Sequence, residues 1–347
     1  MIPGSPWWDR KLHAGRRPLL EARARIRQAI RGHFDDFGFT EVECAALQIS
    51  PGNEAHLHAF AADRIAPDGS RRRLFLHTSP EFACKKLLAA GEPRIFTFSQ
   101  VYRNREQGPI NVPEFTMLEW YRAQETYDSV IADCAAILKL AVRTTGERHF
   151  RHRGREADAL AEPERITVAD AFARHAGIDL LSVLNPDGAP DRDAFDRAAT
   201  GAGIKTAADD TWADIFSRVL TERIEPRLGI GRPTILDRYP KCEAALARTT
   251  GDDPRFSERF ELYVCGVELA NGFGELTDAD EQRRRFEAEM RVKQTRYGET
   301  YPVDEDFIAA LRQMPEASGV ALGFDRLVML ATGCGDVRHV MWTPPVE

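Results

Sequence analysis

Arg103 ends a run, residues 94–103, whose pattern predicts a strand; a polar Gly/Pro loop through Asn104, Arg105 and Glu106 to Pro113 follows, and Glu114-Phe115-Thr116-Met117-Leu118-Glu119-Trp120-Tyr121 reads as the returning strand. Strand side chains alternate faces, so Phe115, Met117, Glu119 and Tyr121 share one. An acid, a phenol and an aromatic ring on one face make an odd core. They make a reasonable site in which a flat base stacks and a cation is held. An arginine at a strand end can clamp a phosphate with its planar fork. Read alone, the segment is equally a surface hairpin with a salt bridge.

Two later segments have the same double character. In Gly266-Val267-Glu268-Leu269-Ala270-Asn271-Gly272-Phe273-Gly274-Glu275, two carboxylates flank what reads as a glycine-rich turn with an amide between them. Mg²⁺ favours a few carboxylates completed by phosphate oxygens, so Glu268 and Glu275 could hold Mg-ATP, and either could bind a substrate ammonium. Alone, the segment is a hairpin turn with exposed acids. In Gly319-Val320-Ala321-Leu322-Gly323-Phe324-Asp325-Arg326, the small residues 319, 321 and 323 share a strand face and let a ligand approach the backbone. Arg326, in the first turn of the next helix, could cover a flat ring or a phosphate. Alone, this is a tightly packed strand–helix junction. No Walker or Rossmann glycine fingerprint is present.

The elements that must position these residues follow from pattern and punctuation. Residues 19–37 read as an amphipathic helix stopped by Gly38, with a short strand at 39–42. Strand 74–78 leads into Ser79-Pro80-Glu81, a helix start with a serine cap, an early proline and an acid near the positive end. Helices are expected at 129–145, 278–297 and 325–331, mainly helix over 165–232, and strands at 233–238 and 260–271. Strands that return through loops, with helices set apart, indicate an α+β fold with an antiparallel sheet. With neither internal repeat nor long linker, residues 1–347 read as one domain.

Composition narrows the function classes. The chain of 347 residues is 43% hydrophobic and 29% charged with net charge −7, which fits a folded globular protein and counts weakly against broad nucleic-acid binding. No apolar stretch is long enough to span a bilayer, and no signal-peptide core is present. The six cysteines form no paired motif, and the histidines show no metal-ligand spacing. A cytoplasmic protein with reduced thiols is expected. The basic runs 71–73 and 148–155 are solvated loops or docking points for an acidic protein. Trp7 and Trp8 are expected to pack.

In order and content, these segments resemble class II aminoacyl-tRNA synthetases. The helix ending near Phe37, with the strand and Pro51 after it, resembles motif 1, the dimer-interface element. Arg103 to Glu119 resembles motif 2, and Gly319 to Arg326 resembles motif 3. Residues 111–119 and 268–276 resemble lysyl-type signatures. The motif 1 helix starts too early to leave room for an anticodon-binding module ahead of it. A free-standing lysyl-type core is similar to the elongation factor P lysine ligases, as are Ser79-Pro80-Glu81, Glu119-Trp120-Tyr121-Arg122 and residues 318–323. Ala321 stands where lysyl synthetases have glycine.

The resemblance implies a class II catalytic core, an antiparallel sheet flanked by helices, with 148–260 as its more variable, mainly helical part. It implies activation of (R)-β-lysine or lysine by ATP and Mg²⁺ as an adenylate, transfer to a lysine of elongation factor P, and a cytoplasmic homodimer in which tRNA binding is not expected. Arg103 and Arg326 would be catalytic. Asn104, Arg105, Glu106, Asn111, Phe115, Glu268, Leu269 and Gly323 would join them around ATP. Ser79, Pro80, Glu81, Tyr121, Asn271, Glu275 and Ala321 would line the amino-acid pocket, and Glu268 and Glu275 would bind the metal. Two departures stand out. The motif 2 pattern Arg-x-Glu reads Arg103-Asn104-Arg105 with Glu106 one place later, so either Glu106 enters by a loop shift or Arg105 faces the nucleotide. Val112 replaces a usual asparagine, for which Asn111 could substitute. The alternatives are a truncated lysyl-type enzyme acting on tRNA and a catalytically silent binding module.

Overall fold

The computed structural model describes residues 6–345. Helix α1 (Arg10–Asp36) begins well before the expected Leu19, with Asp9 accepting from the backbone N–H groups of Lys11 and Leu12. Pro18 lies inside it; a proline there looks like a first helical position, which is why the pattern alone starts at Leu19. The chain continues through β1 (Thr40–Glu41), β2 (Leu47–Gln48), the hairpin β3 (Ala61–Ile65) and β4 (Arg71–Leu76), and α2 (Glu81–Ala89). Then come β5 (Arg94–Tyr102), β6 (Glu114–Ala123), α3 (Tyr127–Thr145), and the short hairpin β7 (His149–His152) and β8 (Arg155–Asp158). Next are β9 (Glu164–Thr167), α4 (Val168–Ala176), α5 (Arg192–Gly201), α6 (Trp212–Val219) and β10 (Thr234–Asp237). The C-terminal third holds β11 (Arg259–Val264), β12 (Val267–Gly274), α7 (Ala279–Tyr297), α8 (Glu305–Leu311), β13 (Ala317–Gly323) and α9 (Phe324–Ala331).

Eight strands form one sheet in the order β1-β5-β6-β13-β12-β11-β10-β9. The six from β5 to β10 are antiparallel as expected. The edges β1 and β9 run parallel to their neighbours, each reached by a long crossover, so the sheet is mixed. The fold is α+β, with α1, α3 and α9 packed around the main core and a second core of Phe172, Phe195, Trp212 and Phe216 under the helical segment.

Residues 260–271 are not one strand but two. The chain reverses at Cys265-Gly266, both with positive φ (55° and 73°). That turn conformation is ordinarily signalled by Asn-Gly or Asp-Gly, so Cys-Gly hides it. Conversely, Asn271-Gly272 lies inside β12 and does not turn. Gly272 is required by packing: a Cβ there would come within 2.5 Å of the Phe260 ring.

The basic run 148–155 forms β7–β8, where Arg148 pairs with Asp158 and Arg151 with Glu147 and Glu156. Arg73 pairs with Asp63 across β3–β4. Trp7 and Trp8 do not pack as expected; both are exposed. Among the described residues, no helix is long and apolar enough to cross a membrane.

Candidate active site

A cavity of about 220 Å³ lies on one face of β6, β13 and β12, under the start of α9. Sheet register sets its floor: Ala321 on β13 sits opposite Glu119 on β6 and opposite Asn271 on β12. Gly319 has Tyr121 and Phe273 as its partners, and a Cβ there would come within 2.3 Å of the Tyr121 ring. Small residues on β13 therefore let the neighbouring strands' larger side chains close the floor.

One end of the cavity is arginine-rich. Arg326 is fixed in three directions, donating to the Ile110 carbonyl at 3.1 Å, the Glu268 carbonyl at 2.7 Å and Asn111 Oδ1 at 2.9 Å. Asn111 in turn donates to Glu106 at 2.6 Å. Arg103 lies over the Phe115 ring, 5.4 Å from its centre, and donates from Nε to the Thr78 carbonyl. It makes no ion pair among the described residues, which leaves its fork free for an anion. Behind this end a buried network ties α1 to α9: Arg23 pairs with Asp325 and donates to Thr116 Oγ1, and Asp325 accepts from the Thr116 N–H at 2.7 Å.

Glu268 borders the same end. Burial raises its carboxyl, and neighbouring Glu261 raises it further. A bulge between Leu262 and Tyr263 lets Glu268 pair opposite Tyr263, placing it beside Glu261. Glu261 is held by Arg259 at 2.8 Å and by the Tyr263 hydroxyl at 2.7 Å. Glu225 is pushed up to about 7 by burial and then by these two acids. No group of three such side chains is placed to hold a metal unaided among the described residues. A buried carboxylate pair completed by phosphate oxygens is nevertheless the donor set Mg²⁺ favours.

The other end is acidic. Glu119 is fully buried, accepting from the Ser79 and Tyr121 hydroxyls. Burial, then the charge of Glu81, lifts it to about 8, against the pull of those two hydrogen bonds. Lys85 Nζ lies 2.6 Å from both Glu81 and Glu275. Burial lowers Lys85, but the two carboxylates outweigh it and hold the lysine charged. Glu275 is raised to about 7, by burial and Glu81 against the attraction of Lys85. Two carboxylates thus share the one cation, and Glu119, close enough to Glu81 to feel its charge, has none of its own, an imbalance suited to an incoming ammonium.

A family model of class II tRNA synthetases (D, K and N) matches residues 10–346. Proteins named elongation factor P–(R)-beta-lysine ligase are similar along nearly the whole chain. That of Pectobacterium atrosepticum is 38% identical over 314 residues, 90% of each chain. That of Haemophilus influenzae is 36% identical over 324 residues, 93% of each. That of Klebsiella pneumoniae is 36% identical over 328 residues, 93% of this chain and 94% of the relative. The chain belongs to the class II tRNA synthetase family.

Of the site residues that the class II resemblance implied, the cavity wall brings together Ser79, Glu81, Arg103, Glu106, Asn111 and Phe115. Glu268, Leu269, Asn271, Ala321, Gly323 and Arg326 complete that set. Five fall elsewhere. Arg105 takes a left-handed backbone (φ 67°) and turns out to pair with Glu299 over the Tyr297 ring. That reversal is the loop shift that carries Glu106 inward. Asn104 turns its side chain back to the Arg105 N–H, and its own N–H bonds His58. Pro80 serves as the boundary of α2. Tyr121 and Glu275 lie behind the wall, where Tyr121 donates to Glu119 and Glu275 pairs with Lys85. Glu268 and Glu275 do not share an ion site: they stand at opposite ends of β12, and Glu268 keeps company with Glu261 instead. Val112, the second class II departure, is a buried wall residue, and Asn111 makes the polar contacts. The sequence reading missed Glu54, Arg259, Glu261 and Lys85. Lys85 was within reach, four residues after Glu81 on one helix.

Proposed function

We propose that this protein activates (R)-β-lysine or lysine with ATP as an adenylate and transfers it to a lysine side chain of elongation factor P. The observation that carries this reading is the polarity of the cavity: at one end an arginine with no ion pair among the described residues, stacked on a phenylalanine, and at the other Glu81, backed by Glu119 and Glu275 with Lys85 as their single cation. A phosphate and a flat base suit the first, and a diamino acid suits the second. The whole-length similarity to the ligases named for elongation factor P supplies the acceptor.

The amino acid's carboxylate attacks the α-phosphate in line and pyrophosphate leaves, giving the aminoacyl-adenylate; no general base is needed because the carboxylate is already a nucleophile. The neutral amine of the acceptor lysine then attacks the adenylate's carbonyl carbon, forming the amide as AMP leaves. Catalysis is then positioning and charge stabilisation. Arg103 holds the α-phosphate and its developing charge. Phe115 and Arg326 enclose the adenine, with Asn111 and Glu106 bracing Arg326. Glu81 and Glu119 take the substrate's ammonium groups, aligned by Ser79 and Tyr121. Mg²⁺ would be held by Glu268 with Glu261, where it would neutralise phosphate charge. Residues 1–347 act as one catalytic unit. The mainly helical part, 148–260, contributes β9, β10 and the start of β11 to the same sheet. α1 is the homodimer element.

Intact-mass spectrometry of elongation factor P incubated with the enzyme, ATP and each lysine isomer tests the reading. A mass gain of one lysyl unit is expected, and none with any isomer would refute it. Arg103→Ala should abolish lysine-dependent ATP–pyrophosphate exchange in a folded protein; retained exchange would remove Arg103 from the phosphate role.

A further inference from the structure

The active-site cavity adjoins a second of about 860 Å³. Glu54, Leu57, Ala245, Leu246 and Arg259 line both, so the two communicate. One wall of the second is the face of α7 that carries Gln282, Glu289 and Arg296. The other is the turn at 187–190, the first turn of α6 and the segment 241–246. The mainly helical part of the chain therefore builds half of this cavity.

Its charges do not cancel. Arg296 pairs with Asp214, Arg285 with Glu281 and Arg259 with Glu261. Glu54, Glu243 and Glu289 have no ion-pair partner among the described residues, and Glu289 takes only the Ala55 N–H at 2.9 Å. Even with exposed Lys241 counted, the unpaired set is net negative. Burial lifts Glu243 to about 7, with Arg259 opposing and Glu289 adding to the rise. Glu54, although its side chain is open to solvent, is raised too, first by desolvation among its neighbours and then by Glu81, with Glu289 adding to the rise. A separate observation points the same way. Gln282 is 1% exposed, yet neither end of its amide has a hydrogen-bond partner among the described residues. The Gln282 oxygen and the unpaired carboxylates of the same cavity are acceptors without donors, and a ligand carrying N–H groups would supply them.

We infer that this second cavity receives the primary ammonium of the acceptor, a lysine side chain of another protein, with Glu54, Glu243, Glu289 and Gln282 as its binding groups on the way to the activated amino acid. This rests on the proposed transfer reaction and adds its route. The amino acid itself has no need of these groups, since Glu81, Glu119 and Glu275 already stand at its own end of the site.

The full-length double variant Glu243→Gln, Glu289→Gln tests this with elongation factor P as acceptor. KM for the acceptor should rise roughly ten- to a hundredfold, the loss of charged hydrogen bonds. Lysine-dependent ATP–pyrophosphate exchange, which also reports a folded enzyme, should keep its rate and its amino-acid KM within about twofold. Each single variant should fall between, and Glu289→Asp should recover most of the loss. An unchanged acceptor KM with normal exchange overturns the inference. A raised amino-acid KM in exchange overturns it too, making the cavity the entry for the small substrate. Wild-type exchange without transfer to elongation factor P defeats the functional reading, and this inference with it.

Discussion

Amino-acid affinity should rise with pH across the window in which Glu119 ionises. Its carboxyl is held near 8 in the folded protein, against about 4.3 in an unfolded chain. Near pH 6 it is neutral, and an incoming ammonium requires its charge, so binding must expel a proton. Where only the ionised form binds, the apparent Kd scales as 1 + 10^(pKa − pH), a fall of about fiftyfold between pH 6 and 8. Glu275, held near 7, steepens the lower half of that window. The measurement is KM for lysine in pyrophosphate exchange, stepped through this range. Glu119→Gln preserves volume but cannot ionise. It should flatten the profile and weaken binding near pH 8 by roughly ten- to a hundredfold, as for a lost hydrogen bond to a charged group. A wild-type KM that stays within about threefold, or a variant with the wild-type slope, refutes the reasoning. The same shift fixes a stability sign. The folded pKa exceeds the unfolded one, so the contribution of Glu119 is fully present below about 4.3 and is lost as pH rises through its folded value. Thermal stability without substrate should fall across that interval, and lysine should raise it most at the alkaline end.

Two further outcomes follow from named contacts. Ala321→Gly removes the methyl standing between Glu119 and Asn271 in the sheet, and should shift the (R)-β-lysine to α-lysine preference towards α-lysine by about 1–3 kcal/mol. The ratio of exchange rates with the two isomers reports it, and an unchanged ratio takes Ala321 out of substrate selection. Arg23→Ala leaves buried Asp325 with only the Thr116 N–H, and should destabilise the fold by about 3–5 kcal/mol in denaturant titration; a loss below about 1 kcal/mol would mean the pair is dispensable.

Much of the fold was legible because alternation and caps are local. β5, β6 and α2 fall where strand periodicity and Ser79-Pro80-Glu81 put them, and the face shared by Phe115, Met117, Glu119 and Tyr121 borders the cavity or lies just behind it. What failed depended on backbone conformations that side-chain pattern does not report. Arg105 and Cys265 both adopt positive φ without being glycine or asparagine. One turns a charged side chain out of the site and brings Glu106 in. The other folds an apparent long strand into a hairpin. Glu119 was seen on the right face, as the acid of a surface that could hold a cation, but only burial and the nearby charge of Glu81 show how far its carboxyl is raised.

The acidic pairs make the limit concrete. Glu261 and Glu268 are seven residues apart, and so are Glu268 and Glu275. Along one strand seven residues span about 20 Å, too far for two carboxylates to share an ion. Across a hairpin the same seven residues bring side chains back together. The turn at Cys265-Gly266 falls within the first interval, and β12 runs straight through the second. The first pair therefore meets at the arginine-rich end, where phosphate oxygens could complete a cation site. In the second, Glu275 is carried to Lys85 at the other end. One unrecognised turn thus decides which acid partners Glu268, and with it which carboxylates stand at each end of the cavity.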